Sequence, residues 1–172
     1  MKAIERERTF RWTDQRELAR HAMEGDGLAW LQRMKNGELP PPPVASALGM
    51  EIDAVEHGRA VFSMRAEEWT CNPTGVVHGG MAATLLDTVL TLAVLSKLPH
   101  GKMCQTVQLN VNFVRPIFPT GERIVAEATD VHVGTTIGTA EGRVVNARGK
   151  LVAHGTATLA ILNIADVAAR SS

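Results

Sequence analysis

The sequence predicts an α+β fold in which a curved antiparallel sheet wraps around one long helix. Three observations carry this. The stretch from Met81 to Leu95 is apolar apart from Asp87 and the threonines Thr84, Thr88 and Thr91, so apolar residues occupy every side and the helix is expected to be largely buried. The run Thr106-Val107-Gln108-Leu109-Asn110-Val111-Asn112-Phe113 alternates polar with apolar, the period of a half-buried antiparallel strand. Strand-like runs follow near 122–133, 135–145 and 150–162, with Asn146-Ala147-Arg148-Gly149 as a turn. One buried helix among long antiparallel strands is an α+β order.

Residues 1–43 differ from the rest. Glu17 to Met23 and Leu28 to Met34 have helical spacing, separated by Gly25 and Gly27. Asp26 is placed to cap the second helix and Gly37 to stop it. Pro40-Pro41-Pro42-Pro43 then predicts an extended connector. This segment reads as a helical arm, too small to bury a core of its own. The main domain is expected over 44–163, with a tail at 164–172. Met50–Val55 and Arg59–Met64 read as a hairpin across His57-Gly58. The glycine-led helix runs from about Gly79 to Lys97, where Pro99 and Gly101 end it. Arg115-Pro116 closes the strand that follows.

At 172 residues the chain has room for one domain with a real core plus an appendage. Lys plus Arg and Asp plus Glu are 18 each, which argues against a nucleic-acid binder while leaving room for a local basic patch. Near-neutral charge also offers little self-repulsion against assembly. The N-terminus alternates charge and has no apolar core segment, so no signal peptide is expected. No apolar run is long enough for a membrane span. Cys71 and Cys104 have no metal-type spacing. They read as free thiols of a cytoplasmic protein, a disulfide between them being the alternative.

Asp87 is the candidate centre of chemistry. A carboxylate on a buried helix is costly unless it has a partner or a task. The pair Gly79-Gly80 at the helix start offers free backbone N–H groups at its positive end. Together they suggest a base or nucleophile plus an oxyanion hole. The bland readings stand beside this one. Asp87 can be a structural carboxylate bonded to a threonine or an arginine. The glycines can serve close packing. Asn72-Pro73-Thr74-Gly75 is a good turn in its own right.

The pattern Asn72-x-x-Gly75-x-x-His78-Gly79-Gly80, with Asp87 nine positions after the histidine, resembles the hotdog-fold acyl-CoA thioesterases. It is closest to the group around the phenylacetate-degradation (PaaI-like) thioesterase. The run from Thr106 to Pro116 is similar to the strand that follows the helix in that family, and the resemblance covers about residues 44–162. It implies a hotdog fold, dimers that often pair into tetramers, and hydrolysis of an acyl-CoA. It also implies Asp87 as nucleophile or general base and the Gly79 N–H as donor to the thioester carbonyl. Asn72 would lie near the catalytic water or thioester, and Thr106 near the aspartate. One departure is Thr135-Thr136, where many relatives carry Arg or Lys, which leaves one phosphate contact to CoA unsupplied.

Thioester hydrolysis needs a nucleophile, water and a stabiliser for the developing oxyanion. Thiolate leaves readily, so neither a strong acid, a metal nor a cofactor is expected. His78 and Gly80 are expected to line the site. Arg115 is read either as a CoA phosphate contact or as a solvated loop charge. A hydratase of the same fold and a non-catalytic acyl-CoA-binding dimer are the rival readings.

Overall fold

The computed structural model describes residues 4–21 and 24–168. The elements run α1 (Gln15–His21), α2 (Gly27–Lys35), α3 (Pro43–Leu48), β1 (Glu51–Glu56), β2 (Arg59–Arg65), a 3-10 turn at Glu68–Thr70, α4 (Gly79–Leu95), β3 (Lys102–Phe113), β4 (Arg123–Val133), β5 (Ile137–Val145), β6 (Leu151–Asn163) and α5 (Ile164–Ala168). The strands form one antiparallel sheet in the order β1-β2-β4-β5-β6-β3. It curls around α4, whose Leu85, Leu86, Val89, Leu90, Ala93 and Val94 are wholly buried. Glycines make the tight wrap possible. A Cβ on Gly155 would meet Asn110 O at 2.1 Å and Leu86 Cδ2 at 3.0 Å, so the sheet closes on Leu86 only with no side chain there.

The hairpin turns at Gly58, whose φ of 83° suits glycine. The turn before β6 closes through Gly149 N–H to Asn146 O at 2.8 Å. No described helix is long and apolar enough to cross a membrane.

Several expectations need correction. The extended connector expected over Pro40–Pro43 ends one residue early. Pro43 opens α3, with Pro42 extended at φ −59° and ψ 151°, because proline is favourable at the first helical position. The first helix covers Gln15–His21, and residues 22 and 23 lie outside the described residues. In addition, α4 is not buried on every side. Gly80, Thr84, Asp87, Thr88 and Thr91 form a half-buried stripe that the chain's own sheet leaves open except where Thr106 of β3 reaches Asp87 and Thr91.

The arm packs on this same core. Asp26 caps α2 by accepting from Ala29 N–H at 2.8 Å. Leu31, Met34 and Leu39 are buried with the main core. A Cβ on Gly27 would lie 1.9 Å from Leu95 O, so α2 touches the end of α4 through a glycine. Burial pushes the Cys104 thiol up to about 12; both cysteines are free thiols.

Candidate active site

The start of α4 is fixed from two sides. His78 N–H donates to Thr70 O at 2.8 Å, and Val77 N–H to Ile117 O at 2.9 Å. A Cys71–Val77 bridge closes the loop between them. Within the loop, Asn72 Oδ1 accepts from Thr74 N–H (2.9 Å) and Thr74 Oγ1 (2.7 Å). The Asn72 carbonyl is thereby committed to its own turn, and its amide NH₂ is the part left for a ligand.

His78 is the N-cap of α4. Its backbone is extended, at φ −60° and ψ 132°, and Nδ1 accepts from Gly80 N–H at 2.8 Å. The ring proton therefore belongs on Nε2. Met81 N–H donates to His78 O at 2.9 Å. Among the described residues, the Gly79 N–H alone of these three amides has no partner. It is the open donor at the positive end of the helix. Gly80, expected to line the site as a donor, spends its amide on the cap.

Gly79 lies in a groove of about 340 Å³ with Asn72, Val76, Phe113, Arg115 and Ile117. Three residues singled out in the sequence, Asn72, Gly79 and Arg115, thus share one concavity. Phe113 was not singled out, yet its ring carbons lie 3.3–3.6 Å from where a Gly79 Cβ would stand; only the register of the folded strand puts it there. A second groove, of about 300 Å³, shares the Arg115-Pro116-Ile117 wall and carries Arg123, Arg148 and Lys150. Arg115 is exposed and donates to Leu151 O at 2.6 Å.

Asp87 is in neither groove. It is half-buried on the open stripe of α4, eight residues beyond Gly79. That is about 12 Å along the axis at about 1.5 Å per residue. Thr106 Oγ1 donates to Asp87 Oδ1 at 2.8 Å, and no cation pairs with Asp87 among the described residues. The partner is thus a threonine, as the bland reading also allowed, and Oδ2 is unengaged among the described residues.

A β-bulge makes this contact possible. Thr106 pairs with Leu159 and Gln108 with Thr158, leaving Val107 as an extra residue. Strict alternation groups Thr106 with the outward Gln108, Asn110 and Asn112. The bulge shifts the pleat by one, so Thr106 joins the helix-facing side and Val107 is 61% exposed.

A long helix clasped by a curved antiparallel sheet is a hotdog fold, and here the helix carries an open amide at its glycine-led start and a half-buried carboxylate on its flank. Residues 74–153 match the thioesterase superfamily, and the chain belongs to that family. Human acyl-coenzyme A thioesterase 13 is 34% identical over 102 residues, which is 59% of this chain and 71% of that protein. A phenylacetic acid degradation-related protein from Ralstonia eutropha JMP134 is 36% identical, with a TM-score of 0.69 over 75% of this chain and 97% of that one. The PaaI protein of the E. coli phenylacetic acid degradation operon is 26% identical, with a TM-score of 0.69 over 85% and 96%. The chain is a thioester hydrolase of the PaaI-like group.

Proposed function

We propose that this protein hydrolyses an acyl-CoA, aliphatic or aryl-acyl, at sites shared between two copies of the chain. The observation that carries the reading is the separation of the two reacting groups. The carbonyl under attack must lie about 3 Å from both the Gly79 N–H and the attacking group. The Asp87 side chain adds only about 2–3 Å of reach against about 12 Å of helix. Two α4 helices packed antiparallel about a twofold axis bring Gly79 of one protomer to Asp87 of its partner, giving two equivalent sites. The uncovered stripe of α4 supports this arrangement. So does β3, an edge strand paired only with β6, whose other side offers free backbone groups to a second copy.

In such a site the Gly79 N–H holds the oxygen that becomes negative. The Asn72 amide stands beside it to orient water or carbonyl. Two routes use these parts. Asp87 takes a proton from water as the water oxygen attacks the carbonyl carbon, or a carboxylate oxygen attacks directly and water then hydrolyses the anhydride. In both, the C–S bond breaks and CoA leaves as thiolate. In the groove beside Arg115, Arg148 and Lys150 suit the phosphates of CoA, whereas Arg123 is engaged by Asp53 and Glu51.

The test is release of free thiol across a panel of acyl-CoAs of varied length and aromaticity. Hydrolysis of at least one acyl-CoA with CoA and free acid as products is expected. Hydration of an enoyl-CoA without thiol release, or tight binding of acyl-CoAs without turnover, overturns the reading. In single-turnover hydrolysis in H₂¹⁸O, label in the Asp87 carboxylate establishes direct attack with water opening the anhydride at the Asp87 carboxyl carbon. Where the label is in the product acid alone, trapping of the acyl-enzyme with hydroxylamine separates the remaining routes.

A further inference from the structure

The three threonines of α4 do not use their hydroxyls alike. Thr84 Oγ1 donates to Gly80 O and Thr88 Oγ1 to Thr84 O, both at 2.9 Å. These are the ordinary bonds of a helical threonine to the carbonyl four residues earlier. Thr91 departs from the pattern. Its equivalent partner is the carbonyl of Asp87, yet its hydroxyl lies 3.1 Å from Thr106 Oγ1 instead. Thr106 Oγ1 in turn lies 2.8 Å from Asp87 Oδ1. All three side chains are half-buried.

Proton counting gives this chain a direction. An ionised carboxylate only accepts, and a hydroxyl has one proton to give. Thr106 must spend its proton on Asp87 Oδ1. Its oxygen is then the acceptor in the contact with Thr91, so Thr91 must donate. The order is Thr91 to Thr106 to Asp87, with no second arrangement that keeps both hydrogen bonds to an ionised carboxylate.

We propose that Thr91 is a positioning residue for the hydrolysis, acting on Asp87 only through Thr106. This rests on the reading of Asp87 as the catalytic carboxylate. The Thr91 hydroxyl stops the Thr106 hydroxyl from rotating and keeps its proton on Oδ1. It also polarises that bond, since hydrogen bonds in series strengthen one another. Asp87 is thereby held in one rotamer, with Oδ2 turned to the reaction. Thr91 itself takes no proton and touches no substrate.

A double-mutant cycle on the full-length protein tests this, with kcat and KM measured on its best acyl-CoA. Thr91→Val should lower kcat about fivefold and leave KM within about twofold. Thr91→Ser, which keeps the hydroxyl, should restore most of the rate. Thr106→Val should cost about twentyfold. The decisive variant is Thr91→Val in the Thr106→Val background, where it should cost nothing further, within about twofold. Thr91→Ala repeats the series should valine fit poorly, and melting curves report folding for every variant. A further fivefold loss in the double variant overturns the relay, because Thr91 then acts independently of Thr106. Equal loss in Thr91→Ser and Thr91→Val overturns it too, since methyl packing would be the cause. Asp87→Asn separates the two ideas. Near wild-type rate in Asp87→Asn removes the catalytic reading and the relay with it. An inactive Asp87→Asn beside a fully active Thr91→Val removes the relay alone.

Discussion

The imidazole of His78 accepts the Gly80 N–H at 2.8 Å and so leaves the Gly79 N–H as the open donor at the start of α4. The histidine decides which of two adjacent glycine amides faces the groove. The glycine at 80 is needed for this, since a Cβ there would stand 2.8 Å from His78 Nδ1. His78→Ala should therefore cost about 1 kcal/mol of stability, as the loss of other N-caps does, whereas His78→Asn should retain most of it. Chemical denaturation of the three proteins measures this. Equal stability of His78→Ala and wild type would show that the cap contributes nothing.

Asp87→Asn keeps the shape of the side chain and removes its charge. Turnover should fall about a hundredfold or more with the fold retained. A variant within about threefold of wild type in steady-state hydrolysis would end the case for Asp87 as the catalyst.

Gly79→Pro deletes the donor on a backbone that accepts it, provided the Phe113 ring, 3.3–3.6 Å from a Cβ there, shifts to admit the proline. Proline is favoured at the first helical position. His78 already has the extended backbone that a residue before proline requires. Gly79→Pro and Asp87→Asn homodimers should each be nearly inactive. Refolded together, they should give heterodimers with one intact site and one doubly damaged site. Random mixing makes about half the dimers mixed, so activity should recover to about a quarter of wild type. Verified heterodimers with no activity would refute the shared site.

Leu31 of the arm is fully buried in the main core. Leu31→Ala should destabilise the protein by about 2–5 kcal/mol, with kcat per folded site unchanged. Thermal melts and active-site-normalised rates check both halves. A loss of kcat in a well-folded Leu31→Ala protein would assign the arm a part in the chemistry.

Glu127 sits between two arginines on neighbouring strands, accepting from Arg59 Nε at 2.8 Å and Arg143 Nη2 at 3.1 Å. The hydrogen bond from Arg59, above all, holds its carboxyl below the ordinary glutamate value of 4.5. A depressed folded value stabilises the protein at pH above the unfolded value, and that stability is lost as pH falls through the folded one. Glu127→Gln should be less stable than wild type at pH 7, by about 1 kcal/mol or less because the pair is partly solvated. The gap should close below pH 4.5. A gap that stays constant from pH 7 to 3 would show that the ion pairs do not set it.

By itself the sequence determined the elements whose signals are local. Apolar density and flanking breakers marked α4, alternation marked the long strands, and Asp26 marked the start of α2. It also sets Gly79 and Asp87 about 12 Å apart along one helix axis, because the rise of a helix is fixed by its own hydrogen bonds. The tertiary structure decided what depends on neighbours distant in the chain. Pro43 turned out to start a helix rather than extend the connector. The sheet buries the apolar face of α4 and leaves the stripe of Asp87 and the threonines half-buried, a division the polar positions hint at and only the packing settles. The bulge at Val107 turns Thr106 towards Asp87, and strand alternation read without it points Thr106 away. A one-residue slip in register exchanges the two faces of a strand. That slip is set by pairing with β6, across some fifty residues of sequence, and no local pattern around Thr106 records it.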